Sequence, residues 1–109
     1  MAKVLLLGLE SPMAEQLSLV LQQLGQDVAI TQDTTSDVQV VFAPEGDIQA
    51  VQQSLPGVPV IIVSRLPEVS KWLHALEQGA ADYCGAPFEA RQLRWALNSS
   101  LAPANRLAA

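Results

Sequence analysis

Several features are scarce in this sequence, and each absence excludes a class of protein. A single cysteine cannot form a disulfide within the chain, and no apolar run is long enough to span a membrane. No secretory signal is recognisable at the amino terminus, so we expect a cytoplasmic protein. Basic residues number six against eleven acidic ones, and the net charge of −5 argues against direct binding of nucleic acid.

Apolar residues are plentiful, and their spacing predicts an α/β domain. They make up 50% of the 109 residues, enough to form the core of a single domain. Short apolar runs predict strands at 3–8, 27–31, 38–43, 59–64 and 80–84. Helical periodicity predicts helices at 11–24, 45–55, 69–78 and 89–101, the first capped by Ser11. This alternation predicts right-handed crossovers and a parallel sheet.

Two segments fall outside that pattern. Residues 31–37, TQDTTSD, are polar and too few for a full crossover helix, so we expect the second helix to be short or missing. One face of the sheet would then be open to a partner, or a packed loop would cover it. Residues 103–109 show no periodicity, and we expect a domain at 1–102 followed by a tail or the start of a linker.

The stretch from Pro59 to Phe88 carries a resemblance to a known family. Its strand ends in Ser64, the next helix ends in GAADY at residues 79–83, and Ala86-Pro87-Phe88 follows the last strand. This resembles the C-terminal half of a response-regulator receiver domain, with Tyr83 at the position of the family's switch aromatic. The resemblance implies a flavodoxin-like, doubly wound, five-stranded parallel sheet in the order 2-1-3-4-5.

The resemblance also implies a degenerate active site. Receivers hold Mg²⁺ with acids after the first and third strands, and the last acid accepts the phosphoryl group beside a lysine. Here Glu10 is the one acid near the first position, Phe42 or Ala43 stands at the nucleophile, and Ala86 replaces the lysine. We therefore expect an atypical pseudo-receiver with no phosphoacceptor, metal, cofactor or enzymatic activity. Its degenerate cleft would contain Glu10, Ala43, Ser64 and Ala86.

Other interpretations of these residues remain open. Phosphorylation at a non-standard acid would use Glu10, Asp47 or another acid, and a small ligand would occupy the cleft at the carboxyl edge of the sheet. Glu45 and Asp47 form either a displaced acidic site or the cap of the following helix. The turn from Gly8 to Pro12 lacks the glycine spacing of a dinucleotide-binding loop.

Two residues with reactive side chains have simpler explanations. Cys84 lies in a predicted strand, and the only histidine, His74, does not suggest a Cys–His pair, which favours a buried structural cysteine over a reactive thiol. His74 lies off the apolar stripe formed by Val69, Trp72, Leu73 and Leu76, so we expect a surface residue rather than a pH sensor.

The last helix suggests an interaction surface. At about 100° per residue, Leu93 and Leu97 share the buried side and Trp95 points nearly opposite. An outward tryptophan beside Arg91 and Arg94 is typical of a binding hot spot, although the ring could instead lie flat on its own domain under an arginine. In receivers, the last two helices and the fifth strand form the dimerisation and output face. The candidate interface residues are Lys71, Tyr83, Arg91, Arg94 and Trp95.

These observations give the functional expectation. The domain would be a protein–protein interaction and regulatory module in two-component-type signalling or transcription regulation. Its partner would be a signalling or output domain, or a second copy bound through that face as a homodimer.

Overall fold

Five parallel strands form one sheet in the order β2-β1-β3-β4-β5, which confirms the predicted flavodoxin-like topology. The computed structural model describes residues 3–31, 38–65, 68–85 and 88–100. The strands are β1 Lys3–Leu7, β2 Asp27–Thr31, β3 Val40–Pro44, β4 Val60–Ser64 and β5 Asp82–Gly85. The helices within these ranges are α1 Ser11–Gln23, α2 Ile48–Ser54, α3 Val69–Glu77 and α4 Ala90–Ser100. None of these helices has the length and apolar character needed to cross a bilayer.

Of the connection between β2 and β3, the structure describes only the last two residues, 38 and 39. Residues 32–37, where we predicted a short or missing helix, lie outside the described residues, as do residues 103–109. The β2 strand has the predicted bounds, whereas β3 begins two residues later than predicted and extends to Pro44.

The helix after β3 is shorter than its periodicity predicts. A turn precedes it, in which the Asp47 amide donates to the Pro44 carbonyl at 3.3 Å and Gly46 has a φ of 91°. A positive φ at the third residue of a turn favours glycine. The turn takes up residues 44–47, so α2 begins only at Ile48.

The first helix also starts differently from the prediction. Glu10, rather than Ser11, occupies the N-cap position, and no side chain there bonds to the helix backbone. Pro12 lies in the first turn, where its missing N–H costs no helical hydrogen bond. Helix boundaries of this kind shift easily by one residue because the terminal turns leave several backbone groups without helical partners.

Both faces of the sheet are covered by helices. On one face, the described core joins the sheet to α1 and α4 through the side chains of Val4, Leu6, Leu17, Leu21, Phe42, Ile61, Leu93 and Leu97. On the other face, the sheet packs on α2 and α3 through Leu5, Val41, Ile48, Val51, Ile62 and Ala75. Successive side chains of a strand point to opposite faces, so β1, β3 and β4 must be apolar at nearly every position.

Glycine ends α3 and turns the chain toward β5. The Gly79 amide donates to the Leu76 carbonyl at 3.0 Å, and the Ala80 amide donates to the Ala75 carbonyl at 3.1 Å. With a φ of 103° at Gly79, this is a Schellman ending. The glycine therefore fixes where the helix stops and confirms the prediction made from its position.

The buried ring of Phe42 provides a test of this core. Phe42→Ala should lower the free energy of unfolding by about 3 to 5 kcal/mol, because it removes a large side chain and leaves a cavity. Urea unfolding followed by circular dichroism measures the change. Leu19→Ala, at a side chain that is 61% exposed, is the control and should change stability by no more than about 0.5 kcal/mol. If Phe42→Ala proves too unstable, Phe42→Leu gives a smaller loss, and an unchanged stability would contradict the packing described.

Candidate functional site

The carboxyl edge of the sheet, where ligands bind in open α/β folds, has no carboxylate at its central strand. The β3 strand ends at Pro44, one residue beyond the range predicted. Phe42 and Ala43, the two candidates for the nucleophile position, have no exposed surface, and Phe42 lies within the core on the α1 side. None of these three side chains can accept a phosphoryl group.

The acidic side chains near this edge lie in separate surroundings. Glu10 lies 3.2 Å from Arg65 in an ion pair whose side chains are both mostly exposed. Asp47 has an Oδ2 that lies 3.2 Å from the place a Cβ on Gly8 would occupy, so its carboxylate covers the start of the loop after β1. In the described ranges, no three histidine, cysteine, aspartate or glutamate side chains are grouped so that they could hold a metal ion.

The remaining residues of the predicted cleft are not all described. Ser64 is 5% exposed at the end of β4. Ala86, at the place of the family's lysine, lies outside the described residues. Among the described residues predicted for the cleft, Glu10 is the one carboxylate, and Ala43 and Ser64 are small and buried.

Glu45, in the turn before α2, bonds two of the predicted interface residues. The Tyr83 hydroxyl donates to its Oε1 at 3.4 Å, and the Lys71 ammonium lies 3.8 Å from the same atom. The Tyr83 side chain is buried and packs in the core on the α2 and α3 side. Tyr83 is thus not an exposed interface residue, and its hydroxyl points toward the turn that follows β3.

Four of the seven exposed large apolar side chains in the described residues lie on α3. Its stripe of large apolar residues would ordinarily pack against the core, yet Val69 is 69% exposed, Leu73 48% and Trp72 42%. Ala75 is the one buried residue of this helix. The helix therefore packs on the sheet through a small side chain, and its large apolar side chains remain exposed.

A groove of about 560 Å³ separates α3 from α4. Trp72 lines it from α3 and Trp95 from α4, so both tryptophans of the chain line the same groove. Trp95 is 70% exposed, as its position opposite Leu93 and Leu97 predicts. Three acidic residues, Glu68, Asp82 and Glu89, also line the groove, as does Tyr83.

The predicted interface residues do not all share one surface. Arg91, Arg94 and Trp95 are exposed on α4. Lys71 lies on the other flank of α3, where it lines a smaller cavity facing α2. The sequence analysis did not predict Trp72 and Val69 as groove residues. The small Ala75 in the same helix is the signal that could have indicated this, because a small side chain lets that face of the helix pack closely on the sheet.

Comparison with solved structures decides the fold. A response regulator receiver domain from Clostridium thermocellum is similar, with a TM-score of 0.80 and 20% identity over 98% of this chain and 99% of that one. The Vibrio cholerae chemotaxis protein CheY4 is similar with a TM-score of 0.75 and 19% identity, over 93% of this chain and 99% of that one. The chain has the receiver-domain fold.

A longer protein contains a similar domain. NtrX from Brucella abortus, solved in complex with ADP, matches with a TM-score of 0.81 and 18% identity over 98% of this chain, which is 28% of the NtrX chain. No family model and no curated protein matches the sequence. The receiver fold is therefore established by the course of the backbone, at sequence identities of a fifth or less.

Cys84 lies in β5 of this receiver fold and is fully buried. Burial raises the pKa of its thiol from 9.0 to about 12, and the neighbouring charge of Asp82 adds to the shift. Because the thiolate is the reactive form, the native thiol is inert at neutral pH. The folded state holds this proton more tightly than the unfolded chain does. Its contribution to stability is therefore present below pH 9 and is lost as the pH rises toward 12.

Thiol labelling tests this assignment of Cys84. In native protein at pH 8, an aromatic disulfide reagent should modify Cys84 only as fast as the domain opens, because the thiol is buried and protonated. The absorbance of the released thiolate measures the rate, and the same protein in denaturing urea is the control that should react rapidly. Rapid modification of the native protein would indicate an accessible, reactive thiol.

Proposed function

We propose that this protein is an atypical receiver-fold domain that has no aspartyl phosphoacceptor and acts, without enzymatic activity, as a protein-interaction module in two-component-type signalling. The observation that carries the interaction role is the uncovered apolar surface of α3 and α4. The observation that supports the loss of phosphoryl chemistry is the end of β3 at Pro44. Fold similarity supports the signalling context. The residues of the site support the loss of phosphoryl chemistry and the interaction role.

Phosphoryl transfer to a receiver requires several groups to act together. A carboxylate attacks, and a metal ion and a cation neutralise the charge that develops. Within the described part of the chain, Glu10 is paired with Arg65 and Asp47 lies over Gly8, so neither carboxylate belongs to a cluster of metal ligands. When catalytic groups act as a unit, the absence of some of them lowers the reaction rate far more than in proportion to their number. This supports a domain whose state does not depend on phosphorylation.

Treatment with acetyl phosphate and Mg²⁺ tests the missing chemistry. The intact mass should be unchanged after incubation, because no carboxylate in the described ranges belongs to a group of acids that could hold the metal ion. A phosphorylatable receiver treated in parallel is the positive control, and phosphorylation would add about 80 Da, the mass of a phosphoryl group. An adduct that disappears in Glu10→Gln or Asp47→Asn would overturn the proposal and assign phosphorylation to that acid.

The apolar surface of α3 and α4 has the composition of a binding site. Val69, Trp72, Leu73 and Leu76 are exposed on one helix, and Trp95 is exposed across the groove. Contiguous apolar patches of this kind mark interaction surfaces in soluble proteins, whereas single exposed apolar residues do not. Tryptophan and arginine are the residues most enriched among binding hot spots, and α4 presents both.

The charges on either side of Trp95 favour a second copy of this chain as the occupant. At about 100° per residue, Gln92 lies about 60° from Trp95 on the groove side, and Arg91 and Arg94 lie about 40° and 100° away on the other side. The groove side carries Glu68, Asp82 and Glu89. A cationic strip and an anionic strip therefore flank a central aromatic side chain.

Such a surface is complementary to itself. A two-fold axis close to Trp95 would place the arginines of one copy opposite the acidic groove of the other, since an isologous interface apposes the same patch in both subunits. The apolar side chains would then be removed from water at the centre, and the charge pairs would set the register at the rim. We therefore propose a homodimer through α3, β5 and α4.

Sedimentation analysis of Trp95→Ala tests this dimer. The wild type should self-associate in the micromolar range, and the substitution should weaken association by about tenfold or more, because it removes a central anchor. Leu19→Ala, at an exposed side chain of α1, is the matched control and should associate like the wild type. Arg94→Glu should also weaken association by charge repulsion. Wild type and Trp95→Ala that sediment as identical monomers would remove the dimer from the proposal.

A further inference from the structure

A second, smaller cavity lies on the other flank of α3, facing α2. Its volume is about 170 Å³. The apolar residues that line it are Ile48, Ile62 and Ala75, and the polar lining includes Glu45, Lys71 and His74. Glu10, Ala43 and Ser64, the described residues of the degenerate cleft, are not part of this lining. The cavity is therefore distinct from the site expected at the carboxyl edge.

The size of the cavity restricts what can occupy it. An apolar protein cavity of about 150 Å³ accommodates benzene, so this one fits a single ring or a short branched chain. Ile48, Ile62 and Ala75 are each buried, and they present an apolar wall from α2, β4 and α3. A ligand body without polar groups would bury its surface here without leaving protein hydrogen-bonding groups unsatisfied.

The charges at the rim indicate the polar end of the ligand. Lys71 and His74 are three residues apart on α3, so their side chains project to the same side of the helix. Lys71 is paired with Glu45 at 3.8 Å, and both side chains are more than one-third exposed, which makes this pair weak. Glu45 also accepts a hydrogen bond from Tyr83, so it keeps a partner if Lys71 turns toward another carboxylate.

We propose that the cavity between α2 and α3 binds a small carboxylate with a compact apolar body, such as an aromatic or branched short-chain acid. The body would occupy the space beside Ile48, Ile62 and Ala75, and the carboxylate would pair with Lys71, with His74 as a second donor. This site depends on contacts of α2 and α3 and not on self-association. It can therefore be tested independently of the proposed dimer.

Benzoate is a suitable probe for this cavity. In a titration of the full chain followed by amide chemical shifts, benzoate at millimolar concentrations should give saturable changes confined to α2, α3 and the turn at Glu45. Benzyl alcohol and benzylamine, which share the ring but lack the carboxylate, should bind at least about tenfold more weakly, because each loses a charge-assisted bond.

Two substitutions test the charge of Lys71 and the space of the cavity separately. Lys71→Met keeps an unbranched side chain and removes the ammonium, so it should weaken benzoate binding by about tenfold or more. Ala75→Val should block binding by filling the cavity, and the amide spectrum shows whether the variant remains folded. Lys3→Met, at the first residue of β1 and outside the cavity lining, is the matched charge control and should leave benzoate binding unchanged. The proposal would be wrong if benzoate gave no saturable changes, if benzylamine bound as tightly, or if Lys71→Met had no effect.

Discussion

The structure depends on the burial of a parallel sheet on both of its faces. Each central strand must be apolar at nearly every position, because helices cover both sides and no water reaches the strand side chains. Val4–Leu7, Val40–Ala43 and Val60–Val63 meet this requirement with hardly any exposed surface. Polar chemistry is thereby confined to the strand ends and the helix surfaces, and the functional features of this domain lie in those two places.

At the strand ends, the receiver fold is present without a grouped set of acids among the described residues. The last residue of β3 is Pro44, and the nearby carboxylates are held in separate contacts, Glu10 with Arg65 and Glu45 with Tyr83. A fold can keep its backbone while its site chemistry changes, since packing and catalysis depend on different side chains. The fold is therefore weak evidence about activity here, and the residues at the strand ends are stronger evidence.

Helix α3 connects the other features. Its one buried residue is the small Ala75, so the helix sits on the sheet with both flanks accessible. One flank, with Lys71, faces the small cavity beside α2, and the other, with Trp72, faces the large groove beside α4. Tyr83, on β5, is hydrogen-bonded to Glu45 near the cavity and also lines the groove. The two surfaces are thus separated by one helix, and a hydrogen bond joins Tyr83, which lines the groove, to Glu45, which lines the cavity.

Sequence alone determined the order of the elements, the bounds of β2, the glycine ending of α3 and the outward position of Trp95, because periodicity and backbone requirements are local properties. It did not determine that the stripe from Val69 to Leu76 lies uncovered or that Tyr83 is buried against Glu45. Periodicity shows which residues of a helix share a face, but the direction of that face depends on how closely the helix approaches its neighbours. That approach was decided by Ala75 and the sheet, which come together only in the tertiary structure.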